Sequence, residues 1–347
     1  MAAPEAPTIS VVISCYNLGA YLDEAIQSVL TQTYENFDII IVDDGSTDRA
    51  TQALLDGYSR PRTEVLRAPH AGIATARNLG VAHARGRYLC ILDADDSLEP
   101  TYFEKAVRVL DADASVTFVS CWLRAFGDES WEWKPERCDV KTLLSEDTVL
   151  TASLVRKDAV LAVGGFDTAM PEQGDDDWHL WLTLVARGYT GVILPEILYN
   201  YRRRGASVSR NCWHGPAHMP LARYRVAKYA DAYRAHLMDV LLRQESETAA
   251  LLRRNDELER SIATDLEPSV ARRRDELASL RARLATVTPD CSPDRTSAAL
   301  ERRVDELEAA LHAASAEVAA FRGSASWRIT GPLRDVYGWW LRMRGAP

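Results

Sequence analysis

The residues best placed to do chemistry are Asp93, Asp95 and Asp96, in the run Leu92-Asp-Ala-Asp-Asp96 that directly follows the apolar stretch Tyr88-Leu-Cys-Ile91. A short apolar run bounded by Gly86 and then by acids reads as a buried strand. The carboxylates therefore leave the carboxyl end of a strand, where open α/β sheets bind ligands. They do not belong in a core, because unpaired buried carboxylates are costly. An acid-x-acid pair in that place can hold a hard divalent cation, and the cation can hold a diphosphate. Mg²⁺ or Mn²⁺ suits oxygen donors, and no His/Cys cluster is spaced for zinc.

A second acidic group, Gly174-Asp-Asp-Asp-Trp178, stands at the start of a predicted helix. Adjacent acids raise one another's pKa, and a carboxylate of raised pKa suits a general base. The helix macrodipole alone accounts for one or two such acids. Tyr16 and Asn17 follow the first predicted strand, at an edge where a base or ribose could rest. Asp43 and Asp44 follow the second. There Gly45 permits a tight turn and Ser46 can cap the next helix. Arg77 lies in a helix that begins after His70-Ala-Gly72, and one guanidinium can meet a diphosphate bidentately.

The elements that must position these residues alternate. Strands are predicted over 8–13, 37–42, 64–67, 88–92, 116–125 and 191–194, with helices over 20–32, 72–84 and 175–187. That alternation predicts an α/β, mostly parallel sheet flanked by helices. There is no G-x-G-x-x-G after the first strand, which argues against a dinucleotide fold. Residues 128–147 are rich in Trp and Glu without clear periodicity, and Pro216 and Pro220 mark a boundary.

Beyond that boundary the pattern changes to heptads. Leu300, Val304, Leu307, Leu311, Ala314, Val318 and Phe321 alternate spacings of four and three, and Leu277, Leu280, Leu284 and Val287 repeat the rhythm. A looser version over Leu237–Ile262 carries Asn255 in its seam. Pro268, Pro289 and Pro293 are expected to cut this region into three helices. The pattern fits either an all-α subdomain or a self-associating coiled coil. The expected domains are 1–215, 216–322 and a basic, Trp-rich segment 323–347. That last segment carries Trp327, Trp339, Trp340, Arg328, Arg342 and Arg344, which suit either a membrane headgroup interface or docking on the first domain.

The net charge of −9 argues against a general nucleic-acid binder. Residues 1–219 carry −11 of it and the remainder +2, so an acidic domain bears a near-neutral extension. Six cysteines without a C-x-x-C pair read as reduced, buried thiols. Met1-Ala-Ala-Pro4 shows no signal-peptide pattern, and no run reaches the ~20 apolar residues of a membrane span. The expected location is the cytoplasm or the inner face of the cytoplasmic membrane.

Taken together, Ser10–Asn17, Val42–Asp48, Gly72–Gly80, Leu92–Asp96, Gly164–Asp167, Asp176–Trp181 and Tyr199–Arg202 strongly resemble family 2 glycosyltransferases over about residues 8–210. The resemblance implies a GT-A fold, a nucleotide-sugar donor, a divalent metal and inversion at the anomeric carbon. It implies that Asp43 contacts the nucleobase, that Arg77 lies at the donor, and that Tyr16, Asn17 and Asp44 belong to the same site. Asp95 is then the direct metal ligand, with Asp93 on the ribose or beside the metal. Alignment with the family's Glu-Asp before an aromatic makes Asp177 the base and Asp176 its orienting partner, leaving Asp175 to the macrodipole. Family members often carry a His after the Tyr-Arg pair. Here Arg202-Arg-Arg204 fills that stretch, so Arg204 replaces the His, or His214 or His218 substitutes, or Arg202 and Arg204 grip the diphosphate. Ser207 and Ser209 follow the family pattern. Ser326–Arg334 resembles a C-terminal motif of bacterial polysaccharide-assembling enzymes, which implies a lipid-linked or cell-surface glycan acceptor such as O-antigen; the enzyme class expected is a hexosyl- or deoxyhexosyltransferase. The rival reading is a non-catalytic scaffold acting through the helical tail.

Overall fold

The computed structural model describes residues 7–205, 212, 215–285 and 295–323. The chain forms two compact units, 1–241 and 242–347. In the first unit the elements are β1 (Ile9–Cys15), α1 (Gly19–Leu30), β2 (Phe37–Asp43), α2 (Arg49–Asp56), β3 (Thr63–Arg67), α3 (Ile73–His83), β4 (Tyr88–Asp93), β5 (Ser97–Leu98), α4 (Tyr102–Ala112), β6 (Val116–Gly127), β7 (Trp131–Trp133), α5 (Val140–Leu143), β8 (Leu154–Arg156), α6 (Lys157–Val163), α7 (Asp176–Ala186) and β9 (Thr190–Arg203). Three helices follow, at His218–Lys228, Ala230–Ala235 and from Leu237 onward.

One mixed sheet runs β3-β2-β1-β4-β8-β6-β9-β5, with β7 beside β6. The pairs among β1 to β4 are parallel, as is β6 with β9, while β8 lies antiparallel between β4 and β6. Every residue of β1 and β2 is buried, as expected of parallel strands covered on both faces. Alternate residues divide between two cores. Ile9, Val11 and Ile13 pack with Leu22, Ile26 and Phe103 on one face. Val12, Ile40 and Val42 pack with Ala76, Val81 and Trp181 on the other. This is the period of two that a strand imposes.

The strand order reverses between β1 and β4, so the ligand crevice lies at their carboxyl ends. Register makes those ends level. Ser14 pairs with Asp93 and Cys15 with Asp43, which puts both acids at one rim of the sheet. Helix α3 delivers Arg77 to the same rim and lies against the sheet at Gly80. A Cβ there would stand 2.2 Å from Val12 Cγ1. Gly80→Ala sets a helix-propensity gain of up to about 1 kcal/mol against an overpacking cost of about 1–3 kcal/mol. The variant is therefore expected to unfold at lower urea concentration, with a net loss of up to about 2 kcal/mol. An unchanged or raised midpoint would show that Val12 yields freely.

Several expectations are corrected here. The first unit extends past Pro216 and Pro220, because Tyr229 and Val240 are buried in the core with Trp178 and Trp181. Pro268 does not break the chain into separate helices. Helix Leu237–Ser261 passes through a π turn at Ile262–Leu266 into helix Glu267–Ala285, and the π turn absorbs the lost backbone bond. Ser46 caps no helix; Asp48 caps α2, accepting from Thr51 N at 2.8 Å. Pro289, Pro293, Val287 and Cys291 lie outside the described residues, as does the basic Trp-rich segment from 324. In the second unit Leu277, Leu280, Val304 and Leu307 form a small core between helices Glu267–Ala285 and Arg295–Gly323, flanked by ion pairs Arg303–Glu276 and Arg281–Glu308. In the looser seam, Leu237, Leu241 and Leu251 are exposed while Asn255 is buried. Among the described residues no helix is long and apolar enough to cross a membrane.

Candidate active site

The centre of the site is Arg77. Its side chain is 2% exposed and bridges two acids, Asp93 Oδ1 and Asp176 Oδ2, at 2.6 Å each. Burial works against the Arg77 charge, but Asp176 and then Asp93 outweigh it and its pKa is raised. The two acidic groups that stood 80 residues apart in the sequence thus meet on one guanidinium. Arg77 was expected at the donor; in the structure its guanidinium bonds Asp93 and Asp176.

Asp176 and Asp177 open α7 after a tight bend. Gly174 (φ +103°) and Asp175 (φ +59°) are both left-handed, a conformation that suits the glycine and strains the aspartate. Asp175 turns away to pair with Arg225 at 3.1 Å. Asp176 is buried, and its pKa is pushed up to about 6 by burial, with Arg77 opposing and the Asp177 charge adding. Asp177 is more open. Its Oδ2 accepts from the Thr151 hydroxyl and its Oδ1 from Trp178 N at 2.9 Å. Both acids line a pocket of about 430 Å³ that also takes in Arg77 and Asp93.

Asp95 is paired with Arg204, Nε to Oδ2 at 2.7 Å. Burial and then the Asp93 charge raise its pKa, against the pull of Arg204. Two hard carboxylates whose charges oppose each other fit a divalent cation. Among the described residues no group of three His, Cys, Asp or Glu is arranged for a metal, and the described carboxylates at this rim are Asp93 and Asp95. His218 does not join them; its Nδ1 meets the Cys212 carbonyl at 3.1 Å. His214, Ser207 and Ser209 lie outside the described residues. Arg202, near the end of β9, and Arg204, just beyond it, both reach Asp95. Arg202 reaches the Asp95 carbonyl at 2.9 Å and Glu24 at 2.5 Å. Arg203, between them, pairs with Glu129.

At the rim beyond β1 and β2, Tyr16 stacks on His70 with ring centroids 4.2 Å apart, and Tyr16 is 39% exposed. That flat ring leaves an open aromatic surface at the rim. Asp43 accepts from Ser46 N at 2.9 Å and stays at the crevice edge. Asn17 and Asp44 are occupied differently from the expectation. The Asn17 Oδ1 accepts from Thr47 N and Asp48 N, at 2.7 and 3.0 Å. The Asp44 carboxylate accepts from Ala71 N and Gly72 N, at 2.8 and 3.0 Å, holding the turn that starts α3. Gly45 completes this knot; at φ +68° a Cβ would lie 2.5 Å from His70 N.

Sequence reasoning singled out Asp96 with its run but gave it no role. Asp96 is buried, accepts from the Tyr199 hydroxyl and from Arg202 N at 2.7 Å, and has its pKa raised by burial and then by Asp95. Three residues were missed, Thr151, His70 and Asp147, since only the fold brings them to the pocket or the rim.

The glycosyl transferase family 2 model matches residues 10–170. An uncharacterized glycosyltransferase of Methanocaldococcus jannaschii is 29% identical over 208 residues, covering 56% of this chain and 71% of that protein. A putative teichuronic acid biosynthesis glycosyltransferase of Bacillus subtilis is 29% identical over 217 residues, 60% of this chain and 83% of that protein. Two further relatives are matched over only 37% and 38% of their own length. A mannosyltransferase of Pyrobaculum calidifontis, solved with GDP-Man and Mn²⁺, shares the fold with a TM-score of 0.52 at 19% identity, over 90% of this chain and 87% of that one. The matched segment includes β1 to β4 and the Asp93–Asp95 rim, and through residues 10–170 this chain is similar to glycosyl transferase family 2.

Proposed function

We propose that the chain is an inverting glycosyltransferase that moves a hexosyl or deoxyhexosyl group from a nucleoside diphosphate to a hydroxyl of a glycan or lipid-linked saccharide. The observation that carries the reading is the Asp93–Arg77–Asp176 bridge, which holds the diphosphate rim and the base helix in one geometry. Assembly of a cell-surface polysaccharide is supported by the name of the Bacillus subtilis relative.

In this reading Tyr16 and Asp43 take the nucleobase. Asp93 and Asp95 would hold a divalent cation, which would supply positive charge for a departing diphosphate. Arg202 and Arg204 add positive charge beside Asp95. Asp177 faces the pocket and accepts the proton of the acceptor hydroxyl as that oxygen bonds to the anomeric carbon and the carbon–diphosphate bond breaks. Asp176, fixed by Arg77, sets the position of α7 and so of Asp177 beside it.

The direct test is thermal unfolding with UDP, GDP, dTDP or CMP, each with and without Mn²⁺. A ligand at 100 times its Kd stabilises by about 2.7 kcal/mol. One nucleotide is expected to raise the melting temperature, chiefly with Mn²⁺. An equal shift without metal would give the diphosphate to Arg202 and Arg204. No shift with any of the four would overturn the reading.

A further inference from the structure

The pocket has an aromatic wall that the transfer chemistry does not use. Strand β7 pairs with β6 so that Trp133 lies opposite Leu123 and Trp131 opposite Ala125. On the other side of β6, Leu123 pairs with Tyr199 and Ala125 with Tyr201. Two cross-sheet rows result, Trp133–Leu123–Tyr199 and Trp131–Ala125–Tyr201, and all of these residues but Ala125 line the same pocket as Asp177. The small Ala125 leaves Trp131 and Tyr201 standing above their row, with ring centroids 6.5 Å apart. Glu132, between the two indoles, points away and pairs with Arg124 and Lys134.

The core does not explain Trp131, which is 41% exposed. A large aromatic surface held in a cavity beside polar groups is the composition of a small-molecule site. The polar groups here are mostly acids. Glu146, Asp147, Asp175, Asp176 and Asp177 line the pocket with Asp93; among the described residues Arg77 is the one cation in the lining and is already bonded to two of them, and Asp175 is paired with Arg225. Carboxylates accept hydrogen bonds from hydroxyls and repel anions.

We infer that the Trp131–Trp133 wall is the acceptor platform, and that the acceptor unit it takes is a neutral pyranose. The apolar face of the sugar ring lies on Trp131 and its hydroxyls point to the acids. This rests on the glycosyltransferase reading and narrows it: the ring that receives the sugar is itself an uncharged saccharide, with any lipid or phosphate lying outside the pocket.

The test measures nucleoside diphosphate release by the full chain with Mn²⁺, using UDP-glucose, UDP-galactose, UDP-N-acetylglucosamine, GDP-mannose and dTDP-rhamnose as donors. For a donor that is turned over, octyl β-glucoside, galactoside, mannoside and N-acetylglucosaminide are added, with octyl glucuronide and glycerol 1-phosphate as anionic comparisons. Neutral pyranosides are expected to accelerate release, and the anionic compounds are not. Trp131→Ala should raise the half-saturating pyranoside concentration by about tenfold while leaving that of the donor unchanged, with Trp131→Tyr in between. Acceleration by the anionic compounds, or an unaltered pyranoside response in Trp131→Ala, overturns the platform while leaving the transferase standing. No release from any donor by the unaltered chain removes the transferase reading, and the platform with it.

Discussion

Asp177→Asn is expected to lower kcat by about 10²- to 10⁴-fold, the range a positioned general base contributes. Asparagine keeps the size of the side chain and can still accept from Trp178 N, which Asp177 Oδ1 does at 2.9 Å. The fold and the thermal shift with donor nucleotide should therefore survive. Asp176→Asn should behave differently, because Asp176 is buried and bonded to Arg77 at 2.6 Å. Its loss should appear in stability and in donor binding as well as in turnover. The contrast tells the residue that takes the proton from the one that places it. A loss of less than about tenfold in Asp177→Asn, with Asp176→Asn the more damaged in kcat alone, would exchange the two roles.

How much of this was legible in the sequence depends on the distance over which each signal acts. The strands were legible because parallel strands buried on both faces read as unbroken apolar runs such as Ile39-Ile-Ile-Val42. The carboxylates at their ends were legible for the same reason, since an acid directly after such a run must stand at the rim. What the sequence left open was pairing. Arg77 looked like a free guanidinium, and only the fold showed that Asp93 and Asp176 claim it. Asn17 and Asp44 looked like ligand contacts because turn residues and binding residues share the same polar composition. Their oxygens bond backbone N–H groups 27 to 31 positions away, a separation that no local pattern encodes. The aromatic wall was hidden in the stretch that lacked periodicity, because β7 is three residues long and too short to show one. Helix α6 was missed in the same way, at seven residues.

Arg77→Met should cost about 3–5 kcal/mol, the typical penalty for removing one partner of a buried ion pair. Against a total stability of about 5–15 kcal/mol this is a large fraction. Methionine fills much of the volume, so the loss is electrostatic: Asp176 is left buried without its partner, and Asp93, 26% exposed at its side chain, is less affected. Lysine should not rescue it, because an ammonium is a point charge and cannot bridge two carboxylates as the guanidinium fork does. Asp176→Asn placed on Arg77→Met should restore part of the stability, since the stranded charge is then gone. The pH dependence follows from the same charge. In the unaltered chain the Asp176 pKa is about 6, raised from 3.8. Without Arg77 it rises further, so the folded variant holds its proton up to a higher pH than the unfolded chain does. Extra protons on the folded state mean that acid favours folding. The deficit of Arg77→Met should therefore be full above the variant's raised pKa and shrink as pH falls toward about 6. Urea titrations at pH 8 and pH 6 measure it. A deficit below about 1 kcal/mol at pH 8, or one that grows on acidification, would mean that the Asp93–Arg77–Asp176 bridge does not hold the two halves of the site together.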